Sequence, residues 1–184
     1  ENTIGSMSLA ETRAQIDHTS YGLKISRILD NDIPPAFITR LRDMGSRVDR
    51  WNIYQWHARG NILAMDSGFA PLGKGGHLGP RDVCVEFRHL SVQTPETDKT
   101  SHYFFGHPQK HDPGNEQLDE QLMKTVTTAF IEDKDMIEAQ QRIIDIDPGA
   151  RMQAIAHDSA LFQGRRIIEG LIDDPAGPRA AAAE

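Results

Sequence analysis

The spacing of the apolar residues changes once along this chain, and that change constrains the fold more than any other feature. In the first 110 residues apolar side chains recur at every second position, which is typical of β-strands with one face turned to a core. From Glu116 to Ile146 they recur after three and four residues, which predicts one long helix. Strands followed by a long helix indicate an α+β fold, in which a curved antiparallel β-sheet grips the C-terminal helix and leaves a cavity.

Turn-forming residues divide the first part of the chain into separate elements. Strands are predicted over residues 12–19, 21–29, 51–58, 61–69, 83–94 and 99–106. Pro34-Pro35 and Gly45 bound a short helix over 36–44, because proline is favoured in a first helical turn and glycine just after a helix end. A last helix is predicted over 159–172, and residues 175–184 are expected to form a flexible tail.

Length, charge and cysteine content restrict the class of protein. The chain has 184 residues, enough for one domain with a sizeable core, which we place at residues 1–174. A formal charge of −7 argues against nucleic acid or an anionic membrane as a partner, and no apolar run reaches the roughly 20 residues of a membrane span. Cys84 is the only cysteine, which favours a reducing, cytoplasmic setting and a small packed side chain.

Asp133 is the most informative residue for chemistry. It lies three residues after Phe130, seven after Val126 and four before Ile137, inside the apolar stripe of the long helix. A carboxylate that faces the sheet must be protonated, hydrogen-bonded, paired or bound to a metal, since burying an uncompensated charge is costly. Periodicity alone favours a hydrogen-bonded structural acid over a metal ligand.

One predicted strand turns from apolar to polar along one face, as the wall of a ligand cavity would. Glu86 and Arg88 mark its outward face. The residues that then point inward are Val83, Val85, Phe87, His89, Ser91 and Gln93. The same alternation puts Leu63, Met65, Ser67 and Phe69 on one face of the preceding strand. We take His89, Ser91, Met65 and Ser67 as candidate substrate contacts, although polar groups satisfied at the rim of a sheet would produce the same pattern.

Two further patterns are weaker. His107 and His111 have a spacing that would place both on one helix face, but they bracket Pro108 at a strand end, so a loop is favoured. The segment 68–75 nearly matches a phosphate-binding loop, but Gly75 stands where a serine or threonine hydroxyl is required. No helix follows this loop to bind phosphate with its N-terminus, and we reject nucleotide binding.

Several sequence stretches occur in an order and at distances that are specific in combination. They are Thr3-Ile4-Gly5, Val48-Asp49-Arg50-Trp51, Gly73-Lys74-Gly75-Gly76, the run from Thr94 to Asp98, His102-Tyr103-Phe104-Phe105, the run from Glu132 to Gln141, and Arg165-Arg166. With them the chain resembles the C-terminal catalytic domain of Rieske-type non-heme iron oxygenases of the vanillate O-demethylase and dicamba monooxygenase type. The resemblance covers nearly the whole chain and implies a helix-grip, START-like fold.

The resemblance also implies a metal site. In this family a mononuclear Fe(II) is held by two histidines and one carboxylate, and the carboxylate from the long helix corresponds to Asp133. The two histidines are expected just upstream of Glu1, and a [2Fe–2S] cluster is expected in an N-terminal Rieske domain that is absent from this sequence, whose single cysteine cannot hold it. With one ligand of three, we expect this fragment alone to bind iron weakly and to be inactive.

The implied function is that of a monooxygenase. Electrons from NAD(P)H pass through a ferredoxin-type reductase and the Rieske cluster to the iron, usually within a homotrimer, and O2 is used to hydroxylate or O-demethylate an aromatic substrate. The alternative is a stand-alone helix-grip domain that binds a small molecule without redox activity. A redox-inactive structural subunit is a third reading. An inward carboxylate at Asp133 argues against a pure binder of apolar ligands.

Overall fold

The structure is a computed structural model that describes residues 7–108, 114–149, 153 and 155–175. The Thr3-Ile4-Gly5 stretch, His111 and residues 176–184 of the expected tail lie outside the described residues. The chain forms two compact units: a sheet unit of residues 1–111 and 157–184, and a helix unit of residues 112–156. Each unit is described by itself.

The described residues form six strands, four α-helices and short 3₁₀ turns. The strands are β1 (Gln15–His18), β2 (Gly22–Asp32), β3 (Val48–His57), β4 (Ile62–Pro71), β5 (Val85–Pro95) and β6 (Ser101–Gly106). The helices are α1 (Met7–Glu11), α2 (Ala36–Leu41), α3 (Glu116–Ile146) and α4 (Ser159–Asp173). All of these elements except α1 correspond to predicted ones, with ends shifted by one to three residues in most cases.

The six strands form one antiparallel sheet in the order β1-β2-β3-β4-β5-β6. Consecutive strands are joined by short connections or by the α2 segment, so neighbours in sequence are neighbours in the sheet. The β3–β4 hairpin closes with a hydrogen bond from the Asn61 N–H to the Ala58 carbonyl at 3.2 Å. Asn61 has a positive φ of 45°, a conformation that asparagine tolerates better than most residues. The predicted α+β class with an antiparallel sheet is confirmed.

Strand register defines a front face of the sheet. Cross-strand partners point the same way, so the front face of β3, β4 and β5 carries Arg50, Asn52, Tyr54, Trp56, Leu63, Met65, Ser67, Phe69, Val85, Phe87, His89 and Ser91. One end of this face is a hydrophobic core in which Ile38 and Met44 pack against Val48, Phe69 and Val85. Helix α4 adds cover elsewhere, because Gly164 lies against the Trp56 ring.

The back face has its own core around Trp51, which is fully buried with Ile53, Ala70 and Cys84. Gly68 is required beside Trp51, since a Cβ at that position would lie 2.3 Å from the ring. The buried thiol of Cys84 agrees with its predicted packing role.

Two predictions for the strand over 83–94 are wrong on this back face. Glu86 was expected to face outward, but it is buried because Arg81 covers it and pairs with it at 3.0 Å. Val83 was expected to point inward from the strand. It lies instead in a 3₁₀ turn, Arg81–Val83, and packs against the Trp51 cluster on the other side of the sheet. When a loop folds back over a sheet, the burial that it causes cannot be predicted from the alternation of apolar and polar residues in the strand it covers.

Helix α3 has the predicted bounds, and its apolar stripe is shielded only in part. Val126 is buried and Phe130 is half-buried, whereas Met136, Ile137 and the isoleucines beyond them are exposed. Because α3 belongs to the helix unit, the prediction that the sheet grips this helix stays a prediction. Among the described residues no helix combines the length and apolar character needed to cross a bilayer.

Candidate active site

The register of β4 and β5 brings the four predicted substrate contacts onto the front face. Met65 pairs directly with His89, Ser67 pairs with Phe87, and Ser91 lies two residues along the same face from His89. Ser67 and Ser91 are buried, while Met65 and His89 are half-buried. The shared face follows the alternation seen in the sequence, whereas the role of these residues in binding a substrate stays a prediction.

A continuous polar chain runs from β6 across β5 and back to the end of β6. The Tyr103 hydroxyl lies 2.8 Å from Ser91 Oγ, and Ser91 Oγ lies 2.5 Å from His89 Nε2. The other ring nitrogen of His89, Nδ1, lies 3.5 Å from Nδ1 of His107. We call Tyr103, Ser91, His89 and His107 the polar chain. Tyr103 keeps 40% of its surface exposed, so one end of the chain reaches solvent within the sheet unit.

The two histidines of the polar chain lie in surroundings that disfavour charge. Burial lowers the pKa of His89, and the neighbouring His107 lowers it further. Burial also lowers the pKa of His107. The main cause of both shifts is the cost of placing an imidazolium away from water, and only for His89 does the neighbouring ring add to it. Both rings are therefore neutral at pH 7, and each carries a single N–H.

Aromatic rings surround the polar chain. The Phe105 ring stacks on His89 with centroids 6.3 Å apart, and the Phe87 ring lies 6.1 Å from His107. Tyr103 also packs against Phe105 at 6.1 Å. Flat apolar walls with a few fixed polar groups suit a ligand that is itself an aromatic ring with a polar substituent.

Several front-face residues near the site were not predicted from the sequence as site residues. On β3, Tyr54 is paired with Met65, and Asn52 is paired with Ser67 and lies 3.4 Å from the Tyr54 hydroxyl. Tyr103 was seen only as part of a family stretch, and His107 only as a partner for His111. Applying the same alternation to the β3 and β6 sequences would have found Asn52, Tyr54 and Tyr103. Nothing local marks the contact between His107 and His89.

The front face also carries a buried cation that is used by the fold. The Arg50 side chain is 2% exposed, its guanidinium lies 5.0 Å from the Phe69 ring centroid, and Nη1 lies 3.7 Å from Asp32 Oδ2. Burial lowers the pKa of Arg50, and Asp32 opposes that shift. With its charge enclosed in this way, Arg50 supports the core at the α2 end of the face and does not present a guanidinium to a ligand.

Asp133 lies on α3, one turn after the half-buried Phe130, and is exposed. The next residues form an ordinary surface pair, with Lys134 Nζ 2.7 Å from Glu138 Oε1. Within the described residues no group of three or more His, Cys, Asp or Glu side chains is arranged to hold a metal ion. The assignment of Asp133 as a metal ligand stays a prediction.

The sequence of the chain matches a known protein family. The family described as vanillate O-demethylase oxygenase C-terminal domain matches residues 1–174. A putative toluene-4-sulfonate monooxygenase system iron-sulfur subunit from Comamonas testosteroni is 40% identical over 174 residues, covering 92% of this chain and 50% of that protein. A vanillate O-demethylase oxygenase subunit from a Pseudomonas species is 31% identical over 191 residues, covering all of this chain and 56% of that protein.

A solved structure agrees at the level of the fold. The crystal structure of dicamba monooxygenase bound to 3,6-dichlorosalicylic acid superposes with a TM-score of 0.74 at 22% sequence identity, covering 92% of this chain and 49% of that one. The chain thus spans about half the length of the relatives that it matches.

Proposed function

The chain belongs to the family of vanillate O-demethylase oxygenase C-terminal domains, and we propose that it is the catalytic-domain portion of a Rieske-type monooxygenase acting on an aromatic substrate. The observation that carries this proposal is the family match over residues 1–174. The similar proteins are named as the iron-sulfur subunit of a monooxygenase system and as an oxygenase subunit, and this favours the oxygenase over the stand-alone binding domain. Hydroxylation and O-demethylation both remain within the proposal.

For the substrate we propose an aromatic ring with an anionic substituent, an arylsulfonate or an arylcarboxylate. The relative with 40% identity is named for toluene-4-sulfonate. The front face supports this choice, because Phe87 and Phe105 provide apolar walls while His89 and Ser91 provide groups that can hydrogen-bond an anion. A half-buried anion needs such donors, since it gives up water on binding.

For the metal we propose that Asp133 supplies the carboxylate ligand of a mononuclear iron in the full-length protein, with two histidines from outside this sequence. The described residues by themselves do not form an iron site, because they contain no cluster of three suitable ligands. They therefore account for no metal-dependent step on their own. The sheet unit contributes what its geometry supports, which is to bind and orient an aromatic ligand.

The partners follow from the same proposal. A Rieske [2Fe–2S] domain elsewhere in the full-length protein, a ferredoxin-type reductase that takes electrons from NAD(P)H, and a homotrimeric assembly complete the system. Support comes from relatives named as an iron-sulfur subunit, an oxygenase subunit and an oxygenase component, words that describe parts of larger systems. A cytoplasmic location, expected from the single cysteine, remains a prediction.

The proposal is tested by changing Asp133 in the intact protein and measuring iron. Asp133→Asn should remove the mononuclear iron and abolish oxygen-dependent turnover of 4-toluenesulfonate or vanillate, while the visible absorbance of the [2Fe–2S] cluster persists. Asp135→Asn is the matched control, because Asp135 is also an exposed aspartate and lies two positions along the same helix. Full iron occupancy in Asp133→Asn would remove Asp133 from the ligand set. If the wild-type protein holds its iron and its [2Fe–2S] cluster but turns over no aromatic acid, that result counts against the proposed function itself.

A further inference from the structure

The contact between His89 and His107 constrains where protons reside. Two Nδ1 atoms face each other at 3.5 Å, and a hydrogen bond between nitrogens needs one donor and one acceptor. When both rings are neutral, one ring must therefore carry its proton on Nδ1 and the other on Nε2. The pair holds opposite tautomers.

The rest of the polar chain links these tautomers to Tyr103. If His89 donates through Nδ1, its Nε2 is bare and accepts from the Ser91 hydroxyl, which accepts in turn from Tyr103. If His107 donates, every hydrogen bond along the chain reverses. Each arrangement keeps the three contacts between the four members, so the chain can change direction without losing a hydrogen bond within it.

We propose that His89 and His107 act as a single-proton pair, which takes up one proton from solvent when an aromatic sulfonate or carboxylate binds to the front face. This inference rests on the substrate class of the proposed function and adds the charge state of the site. The first added proton leaves the contact intact, because the imidazolium still donates to the bare Nδ1 of its partner. A second would place two N–H groups against each other, with two positive rings whose centroids are 5.7 Å apart.

The surroundings explain why an anion would bring the proton with it. On the strands beside the pair, β4 contributes Met65 and β6 contributes Tyr103 and Phe105. Among the described strand residues of the front face, the charged groups are Arg50 with Asp32, and Arg27, which belong to β3 and β2, two or more strands from β5.

Tyr54 on β3 is a further neighbour on this face, where it is paired with Met65. Burial lowers the pKa of both rings and so favours the neutral pair at pH 7 when no ligand is bound. A bound sulfonate is then best matched by protonating the pair.

The proton balance is simple. One proton moves from solvent to one imidazole nitrogen, the pair gains one positive charge, and no bond in the ligand forms or breaks. Above the midpoint of the pair, affinity for the anion should then fall about tenfold for each unit of pH, with a slope of one and not two.

Titration calorimetry on the intact protein tests this inference, using 4-toluenesulfonate at pH 7 to 8 in two buffers with different ionisation enthalpies. We expect uptake of one proton per sulfonate bound and none for the neutral analogue toluene-4-sulfonamide. His107→Phe keeps a ring beside Phe87 but removes the acceptor, and it should weaken sulfonate binding about tenfold without affecting the sulfonamide. His107→Asn should restore much of that loss, because its amide oxygen can accept from His89.

His102→Phe provides the control, since His102 is an exposed histidine on β6 whose ring lies away from the pair. It should leave both affinities and the proton uptake unchanged. Tight sulfonate binding with no proton uptake, or uptake that is the same in His107→Phe, would overturn the single-proton pair while leaving the proposed function standing. If neither ligand binds to the folded protein, the proposed substrate class fails, and the inference fails with it.

Discussion

The sheet unit and the helix unit differ in the solvent exposure of their charged residues. In the sheet unit, Arg81 bridges Asp66 and Glu86, and all three are at least partly enclosed. On α3 the charges stay in solvent, as in the surface pair of Lys134 and Glu138. The enclosed charges of the sheet unit are thus paired with residues of the same unit. Any function of the charged α3 residues depends on elements outside the helix. Substitutions of the enclosed charges of the sheet should therefore change stability, and substitution of Asp133 on α3 should change function.

The largest contrast should come from large-to-small substitutions of apolar residues in the two units. Trp51→Ala removes a fully buried ring and its hydrogen bond to Asp66, and should lower the free energy of unfolding by about 4 kcal/mol. Ile137→Ala on α3 removes a side chain that is 64% exposed and should change the free energy of unfolding by under about 0.5 kcal/mol. Chemical denaturation of both variants measures the difference. A cost above about 1 kcal/mol for Ile137→Ala would mean that another part of the full-length protein covers this face.

A smaller contrast should separate the buried and the exposed ion pairs. Arg81→Ala removes the 3.0 Å contact with the Glu86 carboxylate, which is 8% exposed, and leaves the longer contact to Arg88 at 3.4 Å in place. We expect a loss of about 2 kcal/mol in unfolding free energy, because a buried charge without its main partner is costly. Glu138→Gln should leave the unfolding midpoint unchanged, since both members of that pair are in water. Equal effects of the two substitutions would remove the distinction between the units.

The subtlest difference should appear as acid sensitivity of the sheet unit. Burial by itself would raise the pKa of Asp66, but hydrogen bonds from Arg88, Arg81 and Trp51 outweigh it and lower that pKa. A depressed carboxyl pKa contributes stability above the unfolded value of about 4, and this stability is lost as pH falls through the folded value. Asp66→Asn should therefore flatten the fall in stability below about pH 4, measured by thermal unfolding between pH 2 and 7. An unchanged pH profile would show that other carboxyl groups dominate acid unfolding.

Elements were predictable where the pattern was long or clearly bounded. The bounds of α3 agree with the prediction because a stripe repeated over 31 residues leaves little freedom in its ends. Helix α1 was missed, since five residues carry too short a pattern to distinguish a helix from a loop. The burial of Glu86 was missed because it depends on Arg81, which reaches the back face through a turn and not through the strand.

The candidate site was predictable in its faces and not in its contacts. Alternation along β4 and β5 was enough to group Met65, Ser67, His89 and Ser91. The hydrogen bond between Ser91 and Tyr103 spans 12 residues and the contact of His89 with His107 spans 18, so both depend on how β6 aligns with β5. Strand register depends on packing across the sheet and on the turns that join the strands, so it cannot be inferred from one strand alone.

The sequence by itself determined the order of strands and helices, the direction of each side chain along them and the family, because these are properties of short periods and of local sequence blocks. The tertiary structure decided which face each loop covers, which charges are enclosed, and that a histidine on β5 and a histidine just after β6 meet through the same ring nitrogen. The physical reason is that a side chain's direction is set by its own backbone, whereas its environment is set by residues that folding brings to it from elsewhere in the chain.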